Sequence, residues 1–147
     1  MKNILVPLEL NQSDLEKRII NETISLAKSL NAKCWLIHVA APEPDFVGYD
    51  VGPQYIRDEL AEDLREEHRE IQNIALQFKK LDIEAQGLLI QGATAEMIEV
   101  EMKKLAIDLL VLGNKKHSFI DVFFSGSVTD QLMDQANIPI LLIPDHA

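Results

Sequence analysis

Six residues in one short stretch are suited to holding an anion: Gly113, Lys115, Lys116, His117, Gly126 and Ser127. Two lysines and a histidine bring positive charge, and the glycines leave room for a close approach of backbone to ligand. Leu109 to Leu112 is an apolar run of four, as expected for a strand buried on both faces. Gly113 is expected to end that strand and open a loop. Beyond the loop, Val128, Leu132 and Ala136 recur at helical spacing, and Ser127 with Asp130 makes a Ser-x-x-Asp capping signature. A helix should therefore start at Gly126 or Ser127. The unpaired N–H groups of a first helical turn and the helix dipole both favour negative charge. The chemistry expected of this stretch is phosphate binding.

Composition agrees with a small ligand rather than a large anionic partner. The formal net charge is −10, which opposes general binding to nucleic acid or to an anionic membrane. The chain has 147 residues, 47% hydrophobic and 26% charged, and reads as one globular domain over 1–147. No apolar run approaches the length of a membrane span. The N-terminus enters a strand almost at once, without a signal-peptide pattern. Cys34 is the only cysteine, so no internal disulfide can form, and a reducing cytoplasm is the expected compartment.

The elements that must position these residues follow from periodicity. Met1 to Leu8 is expected to be the first strand, with Pro7 at its end and Glu9 in the loop. Ser13 to Glu16 has the form of a capping box, followed by a helical stripe of Leu15, Ile19, Thr23, Leu26 and Leu30 that stops at Asn31. Cys34 to Val39 is expected as strand two, carrying Trp35 and His38. Pro42, Pro44, Gly48 and Gly52 make the next stretch irregular. A long helix then runs to about Lys80, apolar on one side and dense in acid on the other. Ile83 to Gln91 is a more mixed strand, suited to a sheet edge, and Thr94 is a candidate cap for the helix after it. The last strand is expected over Ile138 to Ile143. Five strands alternating with four helices imply a three-layer α/β/α domain with a parallel sheet. Ligands of such sheets sit beyond the carboxyl ends of the strands, where strand order reverses.

The stretch from Gly113 to Val128 resembles the signature of the universal stress proteins, Gly-x2-Gly-x9-Gly-[Ser/Thr]. Gly113, Gly126, Ser127 and Val128 match in register, whereas Lys116 stands at the second glycine. The resemblance extends from Ile4-Leu5-Val6-Pro7 to Pro139-Ile140-Leu141-Leu142-Ile143-Pro144. It implies strand order 3-2-1-4-5, the adenine-nucleotide alpha-hydrolase-like fold, with the reversal between strands one and four. It also implies a site for ATP or another adenine nucleotide, with or without magnesium. The residues expected there are Pro7, Glu9, Val39, Leu112, Gly113, Lys115, Lys116, Gly126, Ser127 and Val128. Glu9 stands where ATP-binding members usually carry Asp near the adenine. Leu10 replaces a small residue, often Gly, and its bulk is expected to narrow the mouth. Two readings of Lys116 stay open: it obstructs the phosphate, or it folds back and neutralises it.

Enzyme motifs are absent from the sequence. There is no Gly-x4-Gly-Lys-[Ser/Thr] loop and no Gly-x-Ser-x-Gly elbow. The four histidines are scattered and suggest no metal site. Slow ATP hydrolysis is the most that the expected crevice supports. The family order places the last strand at a sheet edge, and pairing of that strand with a second copy is expected through Ile138, Ile140, Leu141, Leu142 and Ile143. The resemblance thus implies a cytoplasmic, nucleotide-responsive homodimer with a stress or regulatory role and a protein partner of unknown identity. The alternative is a member that binds no nucleotide and acts only through protein contacts.

Overall fold

In the computed structural model, described over residues 1–40, 54–114 and 126–145, the chain alternates strands and helices throughout. The side chains of 54–57, 126 and 127 lie outside that description. The elements are β1 (Asn3–Pro7), α1 (Asp14–Leu30), β2 (Lys33–Ala40), α2 (Gln54–Lys80), β3 (Ala85–Gln91), α3 (Thr94–Lys104), β4 (Leu109–Asn114), α4 (Gly126–Gln135) and β5 (Ile140–Pro144). The sheet is parallel, with order β3-β2-β1-β4-β5.

Helices cover both faces because side chains alternate along every strand. Ile4, Val6, Cys34 and Leu36 point into one cluster with Leu15 and Ile19 of α1 and Ile71, Ala75 and Phe78 of α2. Leu5, Ile37, Val39, Leu110 and Leu112 point the other way, against Ala95, Ile98 and Met102 of α3 and Leu132 of α4. Each large side chain buried in this manner contributes about 1.5–3 kcal/mol.

Local chemistry sets the helix ends. Ser13 caps α1 by accepting from Glu16 N at 3.1 Å, and Asn31 ends it in the left-handed region at φ 51, its N–H donating to Ala27 O. Several sequence-based boundaries need correction, among them the last strand, which starts at Ile140 rather than Ile138. Thr94 is the first residue of α3 and provides no side-chain cap; Ala93 occupies that position. Gly113 does not end β4 but lies inside it, paired with Ile143. The third strand starts at Ala85 rather than Ile83, because Ile83 N still donates to Phe78 O as α2 closes.

Strand β5 forms the sheet edge opposite β3. Leu110 N donates to Pro139 O, and Asp145 N donates to Asn114 O. Parallel strands alternate the direction of their backbone groups. The N–H and C=O of Ile140 and Leu142 therefore point away from β4. The outward carbonyl of Pro144 accepts from Arg18 Nη1 at 2.8 Å.

Candidate functional site

The candidate site begins where two neighbouring strands part. β1 pairs with β2 over five positions, from Asn3↔Lys33 to Pro7↔Ile37. It pairs with β4 only at Ile4↔Leu109 and Leu5↔Leu110. Past Leu5 the two strands diverge, so a crevice opens at their carboxyl ends, where strand order reverses. A small cavity of about 20 Å³ lies in it, lined by Pro7, Leu8, Glu9, Ser13, Leu15 and Gly113 among others. That is room for about one water.

Two helices start beside this crevice, and they differ in charge. The first turn of α1 carries Asp14 and Glu16. The Glu16 side chain is 6% exposed and turns back into the β1–α1 loop. There its carboxylate accepts from Leu10 N at 2.8 Å, Asn11 N at 2.9 Å and Gln12 N at 2.9 Å. This replaces the reciprocal arm of the expected capping box, since Ser13 N donates to Asn11 Oδ1 instead. The loop's N–H groups are therefore committed to an internal anion. Helix α4 carries no acidic residue in its first turn. Of the two helix starts, that of α1 is already met by acid, whereas the first turn of α4 carries none, the arrangement that suits an anionic ligand.

The expected site residues fall as follows. Pro7, Val39 and Leu112 are buried, Val39 and Leu112 among the residues packed by α3 and α4. The side chains of Val39 and Leu112 serve the core, whereas Pro7 lines the small cavity of the crevice. Glu9 lines the cleft, with its Oε2 accepting from Asn11 Nδ2 at 2.6 Å. Gly113 has no positive φ, so the conformational reason for glycine does not apply here. The reason is space: a Cβ at Gly113 would stand 2.9 Å from Ile19 Cδ1 and 3.0 Å from Leu15 Cδ2. Gly126 opens α4, Ser127 is its second residue, and Val128 packs half-buried against the α3/α4 cluster. Lys115, Lys116 and His117, and the cap assigned to the Ser127 side chain, lie outside the described residues.

Leu10 departs from expectation. Its side chain lines a groove with Ile20 and Ile74, between α1 and α2, rather than the β1–β4 cleft, so it does not narrow the mouth of that cleft. Its backbone carries the anomaly instead: Leu10 sits at φ 63 and Gln12 at φ 54, a region that costs a residue with a Cβ about 1–2 kcal/mol. The three bonds to Glu16 hold the loop there. Thr129 was not singled out by sequence. It is 4% exposed, and its hydroxyl reaches the Gly113 carbonyl at 3.5 Å, which sets the first turn of α4 against the end of β4. Nothing in its spacing distinguishes it from an ordinary helical threonine.

Burial pushes the Cys34 thiol up to about 12, so it stays protonated and inert. Among the described residues, no group of three or more His, Cys, Asp or Glu could hold a metal ion. No described helix is long and apolar enough to cross a membrane.

Comparison with known proteins gives one consistent result. The profile of the "Universal stress protein family" matches residues 1–144. A universal stress protein of Methanocaldococcus jannaschii is 26% identical over 144 residues, 97% of this chain and 81% of the relative. A universal stress protein family protein from Arabidopsis thaliana, solved with AMP bound, superimposes with a TM-score of 0.70 at 17% identity, covering 100% of this chain and 94% of that one. The universal stress protein from Archaeoglobus fulgidus in complex with dAMP gives 0.64 at 15% identity, covering 97% and 98%. At such identities the two structural likenesses establish the fold.

Proposed function

Because this chain belongs to the universal stress protein family, we propose that it binds an adenine nucleotide, ATP or a relative such as AMP, at the carboxyl ends of β1 and β4. The observation that carries this reading is the early parting of β1 from β4 beside the start of α4, whose first turn carries no acidic residue. The bound AMP and dAMP of the Arabidopsis and Archaeoglobus relatives support the ligand class.

In this reading Glu9 and the backbone of Pro7 and Val39 receive the adenine end. Leu112 and Gly113 flank the ribose. Lys115 and Lys116 neutralise the phosphates, with or without magnesium, and Gly126, Ser127 and Val128 present the N-terminus of α4. The acid and base groups expected at the crevice are Glu9 with Lys115 or Lys116, too few for catalysis, so in this reading the nucleotide acts as a ligand that sets conformation or partner choice, with slow hydrolysis at most. The protein works in the cytoplasm as a homodimer with a stress or regulatory role, paired through β5.

Calorimetric titration with ATP, ADP and AMP tests the proposal. ATP at about a hundred times its dissociation constant should stabilise the fold by about 2.7 kcal/mol. Neither heat nor a melting shift at millimolar nucleotide would overturn it and leave a member that acts through protein contacts alone.

A further inference from the structure

Helices α1 and α2 cover the same face of the sheet, and an open groove of about 440 Å³ lies between them. Its floor is apolar. Leu10, Ile20 and Ile74 line it, each half-buried against the core beneath. Its rim is polar, with Gln12, Lys17 and Asn21 toward α1 and Glu70, Asn73 and Gln77 on α2.

The two sides of the rim differ in charge. Glu70 ends a stripe of α2 that runs through Glu59, Asp63 and Glu66 at spacings of four, three and four residues. Such spacing puts all four carboxylates on one flank of the helix. The stripe continues into Asn73 and Gln77 and holds no Lys, Arg or His. Like charges three and four residues apart on a helix destabilise one another. Among the described residues, no ion pair relieves any of these four. The cations Arg65 and Arg69 lie on another flank, where they line a separate groove with Leu64 and His68. From α1 the groove receives Lys17 and Glu16, and the Glu16 carboxylate is already taken up by three loop N–H groups.

An apolar floor beside an acidic rim fits an amphipathic helix with a cationic flank. An extended segment would need a strand edge to pair with, and the walls of this groove are helices. A helix satisfies its own backbone and asks only for side-chain contacts. A second copy of this chain fits the rim poorly, because each copy carries a formal net charge of −10 and acid facing acid costs affinity. We propose that the α1/α2 groove docks a cationic amphipathic helix of a partner protein. The apolar side chains of that helix rest on Leu10, Ile20 and Ile74, and its lysines or arginines run along Asp63, Glu66 and Glu70.

The probe for the test is a short fluorescent peptide of leucine and lysine, with leucine at helical spacing, beside its leucine–glutamate counterpart. In fluorescence anisotropy the full chain should bind the lysine peptide about tenfold or more tightly than the glutamate peptide. Ile20→Gln together with Ile74→Gln should weaken the lysine peptide about tenfold. Glu66→Gln together with Glu70→Gln should weaken it about fivefold. Neutralising two exposed acids on the other face of the sheet, Glu96→Gln with Asp134→Asn, should leave it unchanged. Circular dichroism checks that each variant folds, and the surface pair Glu66 and Glu70 decides the matter if the isoleucine pair does not. Failure to bind, equal binding of the two peptides, or equal losses from the two charge pairs would overturn the proposal, the last because attraction would then follow net charge alone. A wild-type association state that falls in the isoleucine variant would overturn it too, since a second copy would then be the occupant.

Discussion

A Cβ placed on Gly113 would lie 2.9 Å from Cδ1 of Ile19, so the glycine of β4 makes room for a side chain of α1. The nearest atoms are the ends of flexible side chains, which can move. Gly113→Ala should therefore fold but lose about 1 kcal/mol, at the low end of overpacking costs. Trimming the opposing side chain should recover part of the loss, so Gly113→Ala with Ile19→Val should be more stable than the two separate effects added together. Denaturant melts of the four proteins in this cycle give the coupling directly.

The Glu16 carboxylate organises the loop that forms one rim of the crevice. Glu16→Gln keeps the shape but replaces an acceptor of three backbone N–H groups with a neutral amide. Stability should fall by about 2 kcal/mol, the scale of hydrogen bonds to a charged group. Hydrogen exchange at Leu10, Asn11 and Gln12 should accelerate more than exchange in α3, which is remote from the loop. Uniform acceleration across the chain would mean that the carboxylate supports global stability without holding the loop.

Asp108 joins the start of β1 to the turn before β4. Its Oδ2 accepts from Lys2 N at 2.8 Å and Asn3 N at 2.9 Å. These backbone bonds hold its carboxyl below the usual carboxylate range, with smaller help from the N-terminal amine and Lys2. A depressed folded value favours the ionised form in the native state. The stabilisation is therefore present above the unfolded-state value and is lost as pH falls through the folded one. Asp108→Asn should lower the melting temperature at neutral pH, and the gap from wild type should close in acid. A gap unchanged down to the acid limit would show that charge is not what these bonds use.

The outward groups of β5 allow a sharp test of the proposed dimer. Leu142 directs its N–H away from β4, while Leu141 directs its N–H toward it. Leu142→Pro removes an outward donor, a placement that edge strands tolerate, together with a half-buried side chain packed on the α3/α4 side, and should give a less stable but folded monomer. Leu141→Pro removes a bond within the sheet and should unfold or strongly destabilise the chain. Sedimentation and circular dichroism separate the outcomes. A Leu142→Pro dimer of wild-type strength would move the interface away from this edge.

Much of the architecture is legible in the chain because it is written in short-range periodicity. The unbroken apolar runs of β1 and β4 signal strands covered on both faces. The spacing of Leu15, Ile19 and Thr23 signals one buried helical stripe. The mixed character of β3 signals an edge. These features depend on neighbours a few residues apart, and the motif from Gly113 to Val128 adds the resemblance from which the strand order follows.

What only the tertiary structure decided depends on residues far apart in sequence or on backbone angles that residue types conceal. Leucine is an unlikely choice for φ 63, so Leu10 gave no sign of a left-handed turn; that conformation exists because a carboxylate six residues later collects the loop's N–H groups. Gly113 and Ile19 meet only once β4 has packed beneath α1. His38 and Glu67 come within 3.4 Å because β2 and α2 are layered at one end of the sheet, and neither residue type carries that information alone. Sequence determined which segments become strands and helices, since burial periodicity is a local property. The tertiary structure decided which described donors are already satisfied, those of the β1–α1 loop by Glu16 among them, because satisfaction of a polar group depends on every group that reaches it.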